Sequence, residues 1–276
     1  MRIDAHQHFW TIARGDYGWL TPAMGPIYRD FAPADLAPLL ERAGIEGTVL
    51  VQAAPTRAET DFLLKTAAAT PFVLGVVGWA EFQSPDAADD IAALAREPDL
   101  VGLRPMIQDI PDPDWMLRPD LAPAFGAMSI AGLTFDALTL PRHLGRLRTL
   151  LAQYPSLRTV IDHGSKPRIE AGDFDDWARD MAGIARDTTA FCKLSGLVTE
   201  AGADWTVERL RPYVDHLLET FGPMRLIWGS DWPVCTLAAS YERWLETTGS
   251  LLDGLDKGEH AAIMGGNAIT AYNLGT

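Results

Sequence analysis

Short hydrophobic runs recur along the whole 276-residue chain, and each has the length of one buried strand. They are rich in Val, Ile, Leu and Phe, which is typical of strands covered on both faces. The predicted strands are residues 2–9, 47–52, 72–79, 100–105, 132–138, 157–163, 190–195 and 224–228. Apolar residues at helical spacing lie between most of them, and the clearest predicted helices are residues 33–43, 59–69, 86–96, 141–153, 175–186 and 206–221.

Strands that alternate with helices pair in parallel through right-handed crossovers. Eight such units without a break in composition predict an α/β fold, a parallel eight-stranded (β/α)8 TIM barrel that forms a single domain over residues 1–276. A doubly wound open sheet is the alternative, but no Gly-x-Gly-x-x-Gly motif follows the first strand to support it.

Two long segments interrupt the alternation. Residues 10–29 follow the first strand and carry several aromatic side chains, whereas residues 106–119 follow the fourth strand and are rich in Pro and Asp. Both leave the carboxyl ends of strands, which is where barrel enzymes build their active sites. Since long loops inside a compact domain are uncommon unless they are functional, we expect the first loop to contribute to a site.

The charge balance excludes one class of partner. The chain has 23 Lys and Arg against 37 Asp and Glu, a net charge of −14, so no basic surface is available for nucleic acid. No apolar run approaches the roughly 18 residues of a membrane-spanning helix, and no leader pattern precedes the first strand. The two cysteines form no Cys-x-x-Cys pair. We therefore expect a cytoplasmic protein without membrane or thiolate-metal contacts.

The first predicted strand ends in two histidines, His6 and His8. Because side chains alternate along a strand, both face the same side, about 7 Å apart, where they can converge on one ion or one substrate. The same alternation predicts that Ile3 and Ala5 point outward to the helices. A single histidine is more often a core residue, so the pair is what indicates a site.

Two further strands end in residues that suit the same site. His163 closes the sixth strand, and Asp231 comes after the apolar run of the eighth strand, before Pro233 stops the sheet. A capping role for His163 and a helix N-cap for Asp231 are the structural alternatives. Because strands one, six and eight all open onto one mouth of a closed barrel, we expect these side chains to meet there.

Two cations and one more carboxylate belong to the candidate set. Arg104 ends the fourth strand, where a guanidinium suits contact with a carboxylate or carbonyl oxygen. Lys193 interrupts a buried strand and should face the polar mouth, with an ion pair to Asp231 as the structural alternative. The alternation of side chains along the fifth strand predicts that Asp136 points into the barrel, but it could equally be a hydrogen-bond partner that orients a histidine of the site.

These motifs resemble a known family. His6-Gln7-His8, residues 193–196 (Lys-Leu-Ser-Gly) and residues 229–233 (Gly-Ser-Asp-Trp-Pro) are similar to the amidohydrolase-2 branch of the amidohydrolase superfamily. Residues 4–10, 17–20, 51–56 and 75–79 resemble the sugar-acid lactonases within it, particularly L-fucono- and L-rhamnono-lactonases. The resemblance spans nearly the whole chain.

The resemblance implies a (β/α)8 barrel that hydrolyses a lactone ring to a hydroxy acid. It also implies that His6, His8, His163 and Asp231 bind one divalent cation such as zinc, which is dispensable for activity in the lactonase branch. The two-metal pattern of the family would place a His or a bridging Lys on the fifth strand, where this chain has Asp136. This difference argues against a two-metal site. Three nitrogen or oxygen ligands with Asp231 satisfy the geometry of a single zinc.

From these residues we expect water to attack the carbonyl of a small-molecule sugar lactone, with Asp231 as general base. His8, Arg104 and Lys193 would stabilise the oxyanion, and His163 or Lys193 would protonate the leaving ring oxygen. Trp10, Trp19 and Trp232 would cover the apolar faces of the sugar, beside Arg104. The rival functions are a metal-dependent decarboxylase of the same superfamily and a non-catalytic binding barrel. A homo-oligomer is left open.

Overall fold

All eight hydrophobic runs form strands in a computed structural model, which describes residues 1–275. The strands are β1 (Ile3–Gln7), β2 (Gly47–Val51), β3 (Val73–Gly78), β4 (Leu100–Leu103), β5 (Thr134–Ala137), β6 (Thr159–Ile161), β7 (Phe191–Leu194) and β8 (Leu226–Trp228). They pair in parallel in chain order. The sheet closes just beyond β8, where the N–H of His8 donates to the carbonyl of Trp232 at 2.8 Å and the N–H of Asp231 donates to that of His6 at 2.8 Å. The predicted single-domain (β/α)8 barrel is confirmed.

Helices surround the barrel. They are α1 (Pro33–Ala43), α2 (Arg57–Ala68), α3 (Ala87–Leu94), α4 (Ala122–Ala131), α5 (Leu144–Gln153), α6 (Asp175–Asp187), α7 (Leu197–Glu200), α8 (Val207–Phe221), α9 (Tyr241–Leu251), α10 (Lys257–Ala261) and α11 (Asn267–Tyr272). The six predicted helices correspond to α1, α2, α3, α5, α6 and α8. No helix in residues 1–275 combines the length and the apolar character that crossing a bilayer requires.

The first strand departs from simple alternation. Asp4 pairs with Thr48 but Gln7 pairs with Leu50, so β1 uses one more residue than β2 between these two points. This bulge turns His6 to the same side as Ala5. The expectation that Ile3 and Ala5 point outward is therefore wrong, because both pack inside the barrel, and Asp4 instead contacts Tyr241 of α9.

The barrel interior has a hydrophobic floor under its polar mouth. Inward residues of β1, β2, β3, β6 and β8 pack against α11, which covers the amino-terminal end of the strands; the members are Ile3, Ala5, Val49, Val51, Val77, Val160, Ile227, Ala268, Ala271, Tyr272 and Leu274. A larger cluster fills the space between the strands and the outer helices. Packed on both sides, the strand ends hold the polar side chains above this floor in fixed positions.

Candidate active site

The carboxylate of Asp231 lies at the centre of three imidazoles. Its Oδ1 is 3.3 Å from His8 Nε2, 3.7 Å from His6 Nε2 and 4.0 Å from His163 Nε2. The His6 ring centroid is 4.9 Å from that of His8 and 4.5 Å from that of His163. The structure thus brings together the four residues expected at the mouth, contributed by β1 and by the segments that follow β1, β6 and β8.

The outer ring nitrogens of two histidines are held by the protein. His8 Nδ1 lies 2.7 Å from the carbonyl oxygen of Val51, which can only accept, so Nδ1 carries the proton and Nε2 keeps its lone pair. His163 Nδ1 lies 2.8 Å from Ser195 Oγ. Burial lowers the pKa of His163 to about 4, and it lowers the pKa of His6 well below its usual value with help from the Lys193 ammonium. Both imidazoles are therefore neutral at neutral pH.

His163 reaches the site through a left-handed turn. β6 ends at Ile161, two residues earlier than predicted, and His163 has φ 54°. Gly196, itself at φ 65°, lies so near that a Cβ there would be 2.6 Å from His163 Nδ1. Only glycine accepts both the positive φ and this approach. The turn and Gly196 together place the imidazole over the mouth.

A buried carboxylate fastens the segment that carries Asp231. Asp4 Oδ1 accepts from the backbone N–H of Ser230 at 2.8 Å and of His6 at 3.2 Å, while its Oδ2 accepts from Tyr241 at 3.0 Å. Asp231 has φ 59°. Burial would raise the pKa of Asp231, but the surrounding imidazoles outweigh it and hold this pKa below its usual range. Asp231 is therefore ionised throughout the neutral range.

Arg104 lies between the imidazoles and the end of β2. Its Nη1 is 3.3 Å from His6 Nε2 and donates to Asp162 Oδ2 at 3.2 Å, while Nη2 donates to the backbone carbonyl and the side-chain oxygen of Gln52. Within residues 1–275, the buried Nε–H has no hydrogen-bond partner. The guanidinium therefore keeps one N–H that no group among these residues accepts.

Lys193 lies beneath His6 and does not pair with Asp231, the structural alternative raised from the sequence. Its Nζ donates to Asp136 Oδ2 at 2.6 Å and lies 2.9 Å from Asp162 Oδ1 and 3.1 Å from His6 Nδ1. Burial opposes the charge on Asp162, but Lys193, His6 and Arg104 hold its pKa well below the usual value. Asp136 pairs with Lys193 and accepts from Tyr272 of α11, and it supports His6 only through the ammonium.

A sequence model described as amidohydrolase matches residues 3–274. The chain belongs to the amidohydrolase family. The L-fucono-1,5-lactonase of Burkholderia ambifaria is 47% identical over 277 residues, which covers 99% of this chain and 96% of the relative. The L-fucono-1,5-lactonase of Burkholderia multivorans is 36% identical over 298 residues, with the same shares covered. An amidohydrolase from Burkholderia multivorans, crystallised with bound zinc, has a TM-score of 0.94 and 33% identity, and the match covers 100% of both chains.

The donor set of this amidohydrolase fits a divalent cation. His6, His163 and Asp231 offer ligand atoms within 4.8 Å of one another, and His8 Nε2 faces the same carboxylate oxygen. Neutral imidazole nitrogens and a carboxylate are zinc ligands, and the second nitrogens of His8 and His163 are oriented as those of metal-bound histidines usually are.

The aromatic side chains expected against a sugar lie at different depths. Trp10 is 0% exposed and its indole N–H donates to the Arg29 carbonyl, while Trp232 is 3% exposed and packs against Phe9 and Phe31. The Trp10 ring stacks 6.3 Å from that of His8, and neither indole is at the surface of the mouth. Trp19 is half-buried, and its N–H donates to the Ala53 carbonyl at 2.7 Å.

Three side chains in contact with the predicted set were missed from the sequence. Asp162 contacts Arg104 and Lys193, Gln52 holds Arg104, and Ser195 holds His163. Strand parity could have indicated Asp162, because Val160 faces inward and Asp162 is two residues later. Gln52 and Ser195 end predicted strands and belong to the motifs at residues 51–56 and 193–196, but strand parity alone does not assign either side chain a partner.

Proposed function

We propose that this amidohydrolase hydrolyses the lactone ring of a sugar acid, of the L-fucono-1,5-lactone type, to the open hydroxy acid. The observation that carries the proposal is the ionised Asp231 carboxylate among three imidazoles, at the barrel mouth where this fold performs its chemistry. The full-length similarity to two L-fucono-1,5-lactonases supports the substrate class. The reaction takes a small-molecule substrate, and we place it in the cytoplasm.

Asp231 orients the attacking water and takes its proton as the water oxygen bonds to the lactone carbonyl carbon. The Arg104 guanidinium, with Nη1 3.3 Å from His6 Nε2, is the cation that stabilises the carbonyl oxygen as it becomes an oxyanion. His8 does not take the oxyanion role expected from the sequence, because its Nε2 keeps a lone pair and has no hydrogen to donate. When the tetrahedral intermediate collapses, the bond between the carbonyl carbon and the ring oxygen breaks. Asp231 then returns its proton to that oxygen, which becomes the new hydroxyl group.

The buried position of Lys193 assigns it an indirect role. Its Nζ contacts two carboxylates and the far nitrogen of His6, and the residue is 0% exposed, so it neither touches the oxyanion nor protonates the leaving oxygen. Its charge holds Asp162 ionised and orients the His6 ring. His163 is neutral and contributes through its ring nitrogen facing Asp231 rather than as an imidazolium acid.

His6, His8, His163 and Asp231 would hold one divalent cation, zinc by the similarity to the zinc-bound amidohydrolase. When bound, such an ion polarises a carbonyl oxygen and lowers the pKa of water. The lactone is opened without it more slowly, because the carboxylate base and the Arg104 donor belong to the chain itself.

Replacing His163 with Ala should weaken zinc binding at least about tenfold, since one of four ligands is lost. Equilibrium dialysis of the purified protein, followed by metal analysis, should give one zinc per chain for the wild type. His260→Ala on α10 is the matched control and should bind zinc as the wild type does. Equal zinc affinity of the His163 variant and the wild type would reject this ligand set.

Trp19 is the aromatic residue we assign to substrate contact. Trp19→Ala should raise KM about tenfold with little change in kcat, because it removes apolar cover from a sugar face but leaves the reacting groups in place. Tyr28→Ala, an exposed aromatic of the same loop, is the control and should leave KM unchanged. A kcat defect without a KM change would instead place Trp19 in the chemistry.

A panel of sugar lactones and aromatic carboxylic acids separates this function from its rivals. Proton release at constant pH reports lactone opening and is compared with the uncatalysed rate. Carbon dioxide release is measured in parallel, and both assays are run with and without chelator. We expect lactone opening that survives chelation at a reduced rate, and no carbon dioxide. Carbon dioxide release abolished by chelator would establish the decarboxylase, and inactivity toward every compound would favour a binding barrel.

A further inference from the structure

A second cluster of ligand-type atoms lies below the imidazole centre. His6 Nδ1, Asp136 and Asp162 offer atoms that all lie within 4.8 Å of one another, and all three residues are fully buried. The ammonium of Lys193 lies among them, with Nζ 2.6 Å from Asp136 Oδ2, 2.9 Å from Asp162 Oδ1 and 3.1 Å from His6 Nδ1. The same three side chains that would ligate an ion therefore surround a side-chain cation.

The groups around this position would attract a positive charge, whether or not that charge carries hydrogen-bond donors. Asp162 Oδ1 is buried and has no well-directed hydrogen bond within residues 1–275, yet it faces Nζ at 2.9 Å. The ring of Tyr272 lies on another side, with its centroid 5.2 Å from Nζ, as in a cation–π contact. Two carboxylates and an imidazole nitrogen are also ligand types that divalent ions of the Mn²⁺ or Zn²⁺ class take.

We propose that the Lys193 ammonium occupies a built-in cation position, in place of a second divalent ion, and so limits this site to one metal. The position would take a divalent cation of the Mn²⁺ or Zn²⁺ class once the ammonium is removed. This inference goes beyond the proposed function, and its test uses metal content and stability instead of lactone turnover.

The balance of buried charge is consistent with a single ion. Asp136, Asp162 and Asp231 carry three negative charges, against two positive charges on Arg104 and Lys193. These five side chains therefore sum to −1, so one divalent cation at the mouth brings the total to +1 and a second would bring it to +3. A second ion beside His6 Nδ1 would need the same ligands as Lys193 Nζ and would lie at roughly van der Waals distance from it. The positive charges of the ion and of the ammonium would repel strongly in this dry interior.

The test compares two variants of the full-length protein that lose the same charge. Lys193→Ala leaves the cation position open, whereas Lys193→Met fills it with an uncharged side chain. Both are refolded from urea with excess Mn²⁺, dialysed, and assayed for bound metal per chain. We expect the Ala variant to hold one more ion than the wild type, and the Met variant to hold no more than the wild type.

Stability gives an independent readout. Saturating Mn²⁺ should raise the Tm of Lys193→Ala by about 5 °C more than that of the wild type, because the ion binds the folded state only. Adding Asp136→Asn to Lys193→Ala should remove both the extra ion and the extra shift. If Lys193→Ala binds no additional metal, or stays unfolded in Mn²⁺ while Lys193→Met folds, the proposal is overturned. Two ions at this site in the wild type would overturn it as well.

Discussion

Asp231→Asn should lower kcat by roughly 10²- to 10⁴-fold, the range expected when a general base is lost. The amide of Asn occupies the same space among the three imidazoles but accepts no proton from the attacking water and returns none to the ring oxygen. The fold should persist, because the backbone N–H of residue 231 still donates to the His6 carbonyl. Steady-state kinetics on a sugar lactone, with circular dichroism to verify folding, measure the effect.

Asp109→Asn is the matched control for that experiment. Asp109 lies in the loop after β4, at the same end of the barrel, but is exposed and contacts none of the imidazoles. Its variant should keep the wild-type kcat. If Asp231→Asn also turned over lactone at the wild-type rate, the assignment of the general base would be rejected.

Asp162→Asn should cost about 3–5 kcal/mol of unfolding free energy, as expected when one partner of a buried ion network is removed. Asp162 is fully buried between two cations, with Lys193 Nζ at 2.9 Å and Arg104 Nη1 at 3.2 Å. With its charge gone, Lys193 keeps Asp136 but Arg104 loses its only carboxylate contact among residues 1–275. Urea unfolding followed by tryptophan fluorescence gives the free energy.

The control for stability is an exposed ion pair of the same chemistry. Asp176 pairs with Arg179 on α6, and its side chain is 89% exposed. Exposed pairs contribute little because water and salt screen them, so Asp176→Asn should unfold at the wild-type urea concentration. Equal stability of Asp162→Asn and the wild type would show that the buried network is not the anchor described here.

The barrel was predictable because buried parallel strands leave a strong signature, a hydrophobic run without alternation. Helix α4 was not predicted, since residues 122–131 are apolar on nearly all sides and contain Pro123 and Gly126, which obscure the helical period. The identities of His6, His8, His163 and Asp231 were also accessible, because each stands at a strand end where polar residues are unexpected.

Other features depend on backbone geometry that residue patterns do not encode. The bulge in β1, which places His6 on the same side as Ala5, arises from pairing with β2, and the left-handed turn at His163 depends on room left by Gly196. The partner of Lys193 could not be chosen from sequence, because Asp136, Asp162 and Asp231 all follow inward strand parity. Packing places the ammonium beside the first two.

The most direct test of the central claim is lactone hydrolysis by the wild-type protein in H₂¹⁸O. If water attacks the carbonyl carbon at this site, the acid forms well above the uncatalysed rate with one ¹⁸O in the carboxylate and none in the new hydroxyl group. Mass spectrometry of the product and proton release give both quantities in one experiment. A rate no higher than background, or label in the hydroxyl group, would contradict the account.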